Sequence, residues 1–421
     1  MYGIDYDTSV SSAAGACQKV VLNPAHDTAG DALRYTQVSD FMARPAHNWR
    51  RCVVSPATRK VNYYLHPADS TLKENGKSAT LTGADGDVMV EIPVTHYRID
   101  EYTDSSSHDH IVWLVGDRPF PGSAPHPFFY TSPGGATLRT QYIGAFLPVG
   151  TALTGYRSIL SNNKPSANDS LAGYIAGYQI AGMYPASVSF LWFMRLMMAV
   201  DYGTFDIQSA LSPGLTNLNT AIGGETSGLL RKNGYTKTLG NSSGQVLADA
   251  ELDADLSEYW ADGTADTAKV VACSYRGIEN PYGVVNAAFA GCALISQTQY
   301  FFTNDVSLYG GDLPTSATPA TLTVPTGAAW VNVSFNWPAS AGWISEFDPL
   351  TFFPVSSQIS GSASTYLCDK SVIRSSYGND ITTGVGINGL ANGGTEVGPF
   401  ATKNSIILGN SPATAYWRAA C

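Results

Sequence analysis

The chain has 421 residues, a formal net charge of −10 and 14% charged residues, against roughly 25% in ordinary soluble domains. This balance, with no cluster of Lys or Arg, excludes a nucleic-acid partner, because phosphate binding needs a basic stripe. The most apolar run, residues 188–200, contains Arg195 and is shorter than the roughly 20 residues of a spanning helix, so membrane insertion is not expected.

The composition favours β structure with long ordered loops. Gly (41) and Tyr (23) are frequent, and many Ser, Thr and Asn take the place of charged residues. Tyr offers rigid contact area and Ser, Gly and Asn offer adaptable hydrogen bonds, which suits polar recognition. The same mixture is typical of any loop-rich extracellular or virion protein. The first six residues lack the basic and apolar regions of a signal peptide, so we expect synthesis in the cytoplasm without an export signal.

The first predicted elements are strands. Residues 61–65 predict a short strand, and residues 69–76 predict a polar turn. From residue 88 to 92 apolar side chains alternate with Met89 and Glu91, which is the period of a strand with one buried face. Pro93 then restricts this strand to a sheet edge or a strand end.

A helix and a histidine-containing loop follow from the next patterns. Residues 189–208 predict a helix that is buried on most sides, because its aromatic, Leu and Met side chains leave few polar positions. His108, Asp109 and His110 have side chains that can bind metals. They continue a polar run that starts at Thr103, so we expect a solvated loop instead.

Two surface insertions are predicted. Residues 223–266 are polar and rich in turn residues, and residues 305–340 carry prolines between short apolar runs. The six cysteines, at positions 17, 52, 273, 292, 368 and 421, form no CxxC pair. A thiolate metal site is therefore not expected, and scattered buried thiols are the base-rate expectation, with a single disulfide left open.

The segment Tyr275-Arg276-Gly277-Ile278-Glu279-Asn280-Pro281-Tyr282-Gly283 has the character of a scaffold turn. Gly277 and Gly283 accept positive φ at low cost. Pro281 moves Asn280 away from helical geometry, and the Asn280 side chain can bond nearby backbone. Arg276 is expected to pair with a carboxylate, and Glu279 to accept an N–H or an Arg within the fold.

A ligand-contacting role for Glu279 and Asn280 is the alternative, because carboxylate and amide oxygens also bind hard cations. Such a cation needs six to eight oxygens, and too few lie near in sequence, so no metal or other cofactor is predicted. The sequence also contains no Gly-Xaa-Ser-Xaa-Gly elbow, no His-Glu-Xaa-Xaa-His and no Walker loop. We therefore predict no catalytic residues and no enzymatic activity.

This segment resembles the Arg-Gly-Ile-Glu-Asn-Pro-aromatic-Gly segment of phage proteins that carry a C-type-lectin-like domain, relatives in fold of the formylglycine-generating enzymes. Residues 83–93 are similar to another segment of that family. Residues 126–129 and 142–146 are similar to a third, although Phe146 and Leu147 stand where Tyr and Glu are usual. Residues 200–208 resemble the family's Glu-Tyr-Gly-Thr-Xaa-Asn-Xaa-Gln helix, and residues 410–418 resemble its closing strand, which is expected to return beside the motif.

The resemblance implies an α+β fold: a C-type-lectin-like domain with a twisted antiparallel sheet, two helices and long ordered loops. This domain would occupy residues 81–421, with the insertions near 223–266 and 305–340. Residues 1–80 would form a β-rich region that attaches it to a virion or to sister subunits. The related enzymes hold copper with a close pair of cysteines, whereas Cys368 and Cys421 are far apart, so the oxidase chemistry lacks its ligands.

The resemblance also implies that binding depends on the glycine-rich segment 377–404. In several relatives this part is rewritten by a diversity-generating retroelement that alters adenine-rich codons, including those for Asn. Asn residues that serve as left-handed turn residues are the alternative. The predicted receptor-binding residues are Tyr377, Asn379, Asp380, Asn388, Asn392, Thr395, Glu396 and Asn404.

The predicted function is that of a phage tail receptor-binding protein, located in the virion, at the tail tip or fibre. Its partners would be a bacterial surface receptor, either glycan or protein, and other tail proteins. A homo-oligomer such as a trimer is expected. A purely structural virion component with the same fold is the first alternative, and a degenerate oxidase-like enzyme is the second.

Overall fold

A computed structural model describes most of the N-terminal half of the chain and selected parts of the remainder. The described residues are 1–7, 9–10, 15, 17–39, 48–162, 171–204, 207–212, 233–247, 271–281, 287–296, 299–308, 331–334, 342–347, 354–358, 372–373, 405–408 and 416–420. They form a β-rich α+β fold with helices of ten and fifteen residues, α1 and α2, and a four-residue helix, α3.

The elements alternate short strands with few helices. Up to the first helix they are β1 (Tyr2–Asp7), β2 (Cys17–Leu22), β3 (Tyr35–Gln37), β4 (Arg50–Val54), β5 (Val61–His66), β6 (Asp69–Lys73), β7 (Asp87–Pro93), β8 (His96–Thr103), β9 (Asp109–Gly116), β10 (Ala124–Pro125), β11 (Thr140–Gly144), β12 (Val149–Thr151), β13 (Gly155–Arg157) and α1 (Leu171–Ile180). The middle elements are β14 (Tyr184–Pro185), α2 (Val188–Tyr202), α3 (Ile207–Ala210), β15 (Gly244–Leu247), β16 (Val271–Tyr275), β17 (Ile278–Glu279), β18 (Ala287–Ala290), β19 (Cys292–Ser296) and β20 (Gln299–Phe302). The last are β21 (Val331–Ser334), β22 (Gly342–Phe347), β23 (Pro354–Gln358), β24 (Val372–Ile373), β25 (Ser405–Leu408), β26 (Tyr416–Trp417) and β27 (Ala419–Ala420).

Two large antiparallel sheets dominate the described residues. The first has the strand order β10-β8-β9-β1-β2-β3, and the second has the order β14-β27-β11-β7-β4-β5-β6. In the first, β1 pairs with β9, and in the second, β4 pairs with β7. Both sheets therefore combine strands from before and after residue 80. The domain boundary predicted there stays a prediction, and hydrogen bonding is continuous across it.

Strand β7 lies inside the second sheet, between β11 and β4. Successive side chains of β7 point to opposite faces of the sheet, and each face packs against a different core. Val88, Val90 and Ile92 face the core that contains α2, whereas Met89 packs in the core that contains α1. The predicted strand is confirmed, and Pro93 is its last residue. Both faces are covered, which is more burial than the alternating pattern alone predicts.

Helix α2 is the central element of the larger core. Thirteen of its residues are buried, and its side chains pack with inward-facing residues of both large sheets. Ser187 caps its start by accepting a hydrogen bond from the Phe190 N–H. Gly203 ends it in the left-handed conformation, with φ at 67°, so the predicted helix 189–208 is wrong beyond Tyr202. A separate short helix, α3, follows.

Two predicted loops contain strands. Residues 69–73 form β6, because Lys73 pairs with Leu65 and Asp69 pairs with His66 of β5. The Asp69 side chain also accepts the N–H and the hydroxyl of Thr71. The prediction of a solvated loop at residues 108–110 is wrong for Asp109 and His110, which begin β9. The His110 ring stacks on Tyr102 at 4.7 Å between ring centres.

The cysteine prediction is confirmed for the part of the chain that the structure describes most completely. Cys17, Cys52 and Cys273 are buried thiols that form no disulfide. Cys368 and Cys421 lie outside the described residues. No helix of the described part is long and apolar enough to cross a membrane.

His126 generates a pH prediction. It is fully buried between Tyr97 and Phe193, and its Nδ1 accepts the Phe128 N–H at 3.2 Å. Burial lowers the pKa of His126 well below its ordinary value. The unfolded chain therefore takes up a proton that the folded protein excludes, and this residue should lower the free energy of unfolding by about 1.4 kcal/mol per pH unit below roughly pH 6.5.

His126→Asn keeps an acceptor for the Phe128 N–H but cannot be protonated. Denaturant titrations between neutral and acidic pH should give the variant a shallower loss of stability than the parent protein. His66→Asn is the matched control, because His66 also accepts a local backbone N–H but is only partly buried. Parallel pH profiles for the parent and His126→Asn would contradict the prediction.

Candidate functional site

The scaffold motif forms a two-residue hairpin between β16 and β17. Tyr275 pairs with Ile278, which leaves Arg276 and Gly277 as the turn. Both have positive φ, 48° and 88°, as a type I′ turn requires. A Cβ at Gly277 would lie 3.1 Å from the Arg51 side chain, so glycine is needed for space as well as for conformation. The predicted positive φ of Gly277 is confirmed.

Asn280 closes the hairpin by bonding the opposite strand. Its N–H donates to the Cys273 carbonyl at 2.7 Å, and its Oδ1 accepts the Cys273 N–H at 3.1 Å. Its φ is 44°, so it avoids the right-handed helical region that Pro281 disfavours and takes the left-handed conformation that Asn tolerates. The predicted bond from the Asn280 side chain to nearby backbone is thus confirmed.

The Glu279 carboxylate is buried and accepts three hydrogen bonds from one short segment. Oε1 accepts the Gly234 N–H at 2.9 Å, and Oε2 accepts the Thr236 N–H at 2.7 Å and its hydroxyl at 2.9 Å. The prediction that Glu279 accepts N–H groups within the fold is confirmed. Thr236 is fully buried, so this part of the predicted surface insertion 223–266 lies inside the protein, because the carboxylate needs donors there.

Arg51, from β4, lies fully buried beside this carboxylate. Its Nε donates to the Gly277 carbonyl at 2.6 Å, and its Nη1 donates to the Ser70 hydroxyl and the Thr236 carbonyl, both at 3.0 Å. Its Nη2 donates to the Thr236 hydroxyl at 2.8 Å, and that hydroxyl in turn donates to Glu279. Burial lowers the pKa of Arg51 to about 10 while Glu279 acts in the opposite sense, so the guanidinium is charged at neutral pH.

Arg418 approaches from the closing strand. Its Nη2 donates to the carbonyls of Glu279 at 2.7 Å and Asn280 at 3.0 Å. Its Nη1 donates to the Gly144 carbonyl at 2.8 Å and the Ala145 carbonyl at 3.4 Å. Burial lowers the pKa of Arg418 to about 10, again against the effect of Glu279. The expected return of this strand beside the motif is confirmed.

Arg276 makes the carboxylate pair predicted for it. Its Nε and Nη2 donate to the two oxygens of Asp201 at 2.7 and 2.8 Å, and the Tyr275 hydroxyl donates to the same carboxylate. Asp201 lies in the last turn of α2, so this pair fixes the hairpin against the central helix. The Arg276 guanidinium also lies 5.5 Å from the centre of the Trp49 ring.

These contacts describe a structural centre. The buried guanidinium and carboxylate groups bond mostly to backbone groups of the hairpin, the 233–236 segment and β11, so few are left for a ligand. Burial raises the pKa of the Cys273 thiol to about 12, which keeps this neighbour protonated and weakly nucleophilic. Among the described residues, no group of three or more His, Cys, Asp or Glu has an arrangement that holds a metal ion.

The predicted receptor-binding residues, from Tyr377 to Asn404, lie outside the described residues, as does Gly283. The structure describes strands on either side of that segment. Before it, β24 pairs with β22, and after it, β25 pairs with β18. Strand β18 also pairs with β26, directly before Arg418.

Sequence reasoning missed several members of the centre. Arg51 belonged to none of the patterns found in the sequence, and Thr236 was noted only as part of the polar segment 223–266. Both partners of the Glu279 side chain are more than forty residues away along the chain. Arg418 lay within the segment that resembles a closing strand, and this was the one available signal for it.

Comparison of the chain with protein-family models, with curated proteins and with solved structures gave no match in any of the three.

Glu279→Gln tests the structural centre. The amide nitrogen of the new side chain would face the N–H of Gly234 or of Thr236, and two donors cannot bond each other. Arg51 and Arg418 would also lose the negative charge that they share. We expect the free energy of unfolding to fall by about 3–5 kcal/mol, the range for breaking a buried ion pair. Denaturant titration measures this loss.

Glu101→Gln is the matched control, because Glu101 is exposed on β8 and its loss should change stability by less than about 0.5 kcal/mol. Equal stability of the two variants would show that the buried carboxylate does not hold the centre.

Proposed function

We propose that this protein is a phage tail receptor-binding protein that attaches non-covalently to a bacterial surface receptor through residues 377–404. The observation that carries the proposal is the contact of Arg418 with the carbonyls of Glu279 and Asn280. This contact holds the strand after the glycine-rich segment against the hairpin before it. The two ends of the intervening chain, Asn280 and Arg418, are both buried and are thereby held together.

The anchoring strands support this division of roles. Strand β25 begins at Ser405, directly after the glycine-rich segment, and pairs antiparallel with β18 along four residues. Binding residues are often placed on loops that a rigid scaffold positions, because the loop can then vary without loss of the fold. The Gly, Asn and Thr of residues 377–404 suit such a recognition surface.

The proposal includes a C-type-lectin-like fold. The antiparallel sheets, the two longer helices and the hairpin motif are consistent with the resemblance. Phe146, which stands where the family has Tyr, is fully buried and its ring lies 5.3 Å from the Arg51 guanidinium. An acidic side chain at Leu147, which is also buried, would need a partner of its own, so that family feature does not carry over.

Exchange of residues 377–404 for a Gly/Ser linker of equal length, in the full chain, tests the proposal. We expect the parent protein to be retained by envelope fractions of at least one strain in a bacterial panel, and the exchanged protein to be lost from them. Its thermal unfolding should stay close to that of the parent, because Glu279, Arg51 and Arg418 are unchanged. Sedimentation with the envelope fractions measures retention.

A matched control exchanges residues 74–77, in the exposed turn after β6, for Gly and Ser. This variant should sediment like the parent. Retention of the 377–404 exchange at the parent's level would refute the assignment of that segment. If the parent protein itself bound no envelope but associated with other virion proteins, the structural virion component would be favoured instead.

A further inference from the structure

A surface cleft with an uncharged lining lies where β11, β14 and β27 meet the turn at Pro127–Phe129. Its volume is about 60 Å³. A water molecule needs roughly 10–15 Å³ by this measure, and a pocket for a drug-sized ligand has roughly 300–1,000 Å³. The cleft is therefore larger than a single water site and much smaller than a pocket that encloses a whole ligand, so a ring would contact it with one face or edge.

Three of the described residues that line the cleft are aromatic. Phe128 is buried, and Tyr130 and Tyr184 are partly exposed. Within the described residues, the hydroxyls of Tyr130 and Tyr184 make no hydrogen bond to the protein. Each hydroxyl can therefore donate to a ligand and accept from it. Burial raises the pKa of Tyr130, so its hydroxyl is neutral at physiological pH.

The polar amides at the cleft are oriented by the fold. Asn304 donates to the Pro127 carbonyl and accepts from the Ser189 hydroxyl, both at 2.7 Å. Gln141 donates through Nε2 to the Phe128 carbonyl at 3.0 Å, which fixes the amide and leaves Oε1 as an acceptor. The walls are thus set before a ligand arrives, which lowers the entropy lost on binding.

We propose that this cleft binds one ring of a neutral, hydroxyl-rich ligand, a sugar residue without a charged substituent. The apolar face of such a ring fits against aromatic side chains, and its hydroxyls match the Tyr130 and Tyr184 hydroxyls and the Gln141 oxygen. None of the described residues that line the cleft is charged, which disfavours phosphate or carboxylate ligands. Its described lining residues come from β11, β14, β27 and the segments around Phe128 and Asn304, none of which is proposed to bind the receptor.

The test uses the full chain and saturation-transfer NMR with four separate probes: D-glucose, D-galactose, N-acetyl-D-glucosamine and inorganic phosphate. We expect saturation transfer to at least one neutral sugar, with a dissociation constant in the millimolar range. Phosphate, followed by ³¹P line width, should not bind. Binding of phosphate in competition with the sugar, or transfer to none of the three sugars, would overturn the proposal.

The double variant Tyr130→Phe with Tyr184→Phe removes both hydroxyls and keeps both rings, so the fold should be unaffected. Sugar binding should weaken about tenfold, since each hydrogen bond changes an equilibrium several-fold. Tyr142→Phe is the control, because Tyr142 lies on β11 next to Gln141 but donates to Glu91 at 3.0 Å instead. Equal sugar binding by the double variant and the parent would place the ligand elsewhere and overturn the assignment.

The 377–404 exchange separates this site from the proposed receptor-binding segment. Sugar binding should survive that exchange, because the described lining residues of the cleft are unchanged. Loss of sugar binding in the exchanged protein would contradict the site described here. If the exchanged protein lost envelope retention but kept sugar binding, the proposed sugar site would stand.

Discussion

A buried carboxylate joins three distant parts of this chain, and the described fold depends on it. Glu279 holds the 233–236 segment through three hydrogen bonds, while the Thr236 hydroxyl links it to Arg51 on β4. The guanidinium of Arg418 lies on the other side and bonds the carbonyls of the same turn. Burying two guanidinium groups is costly, and dense hydrogen bonding with a shared counter-charge offsets that cost.

This arrangement explains why the hairpin geometry matters. The positive φ of Arg276 and Gly277 turns the chain tightly enough for the Gly277 carbonyl to reach Arg51. Arg276 is then directed at Asp201, at the end of α2. One turn therefore connects the second sheet with the central helix, and the buried polar groups specify how these layers fit together.

The two binding surfaces proposed for the molecule differ in how they are built. The cleft around Tyr130 and Tyr184 belongs to the scaffold itself, and its amides are fixed by the bonds of Asn304 and Gln141. The 377–404 segment lies between β24 and β25 in the chain, and both of these strands are paired in sheets. A fixed cleft suits a small, constant ligand, whereas an anchored loop can change its side chains without altering the core.

Local sequence patterns were enough for the elements whose causes are local. The alternation of residues 88–92 predicted β7, the apolar composition of residues 189–200 predicted α2, and Gly277 predicted a turn. Each prediction needs only a local period or the sterics of one backbone position. Patterns failed where one residue overrides a trend, as Gly203 does in ending α2 early. Only the tertiary structure decided that Arg51, Thr236 and Arg418 meet around Glu279. Their partners come from distant segments, and no local period encodes which segments pack together.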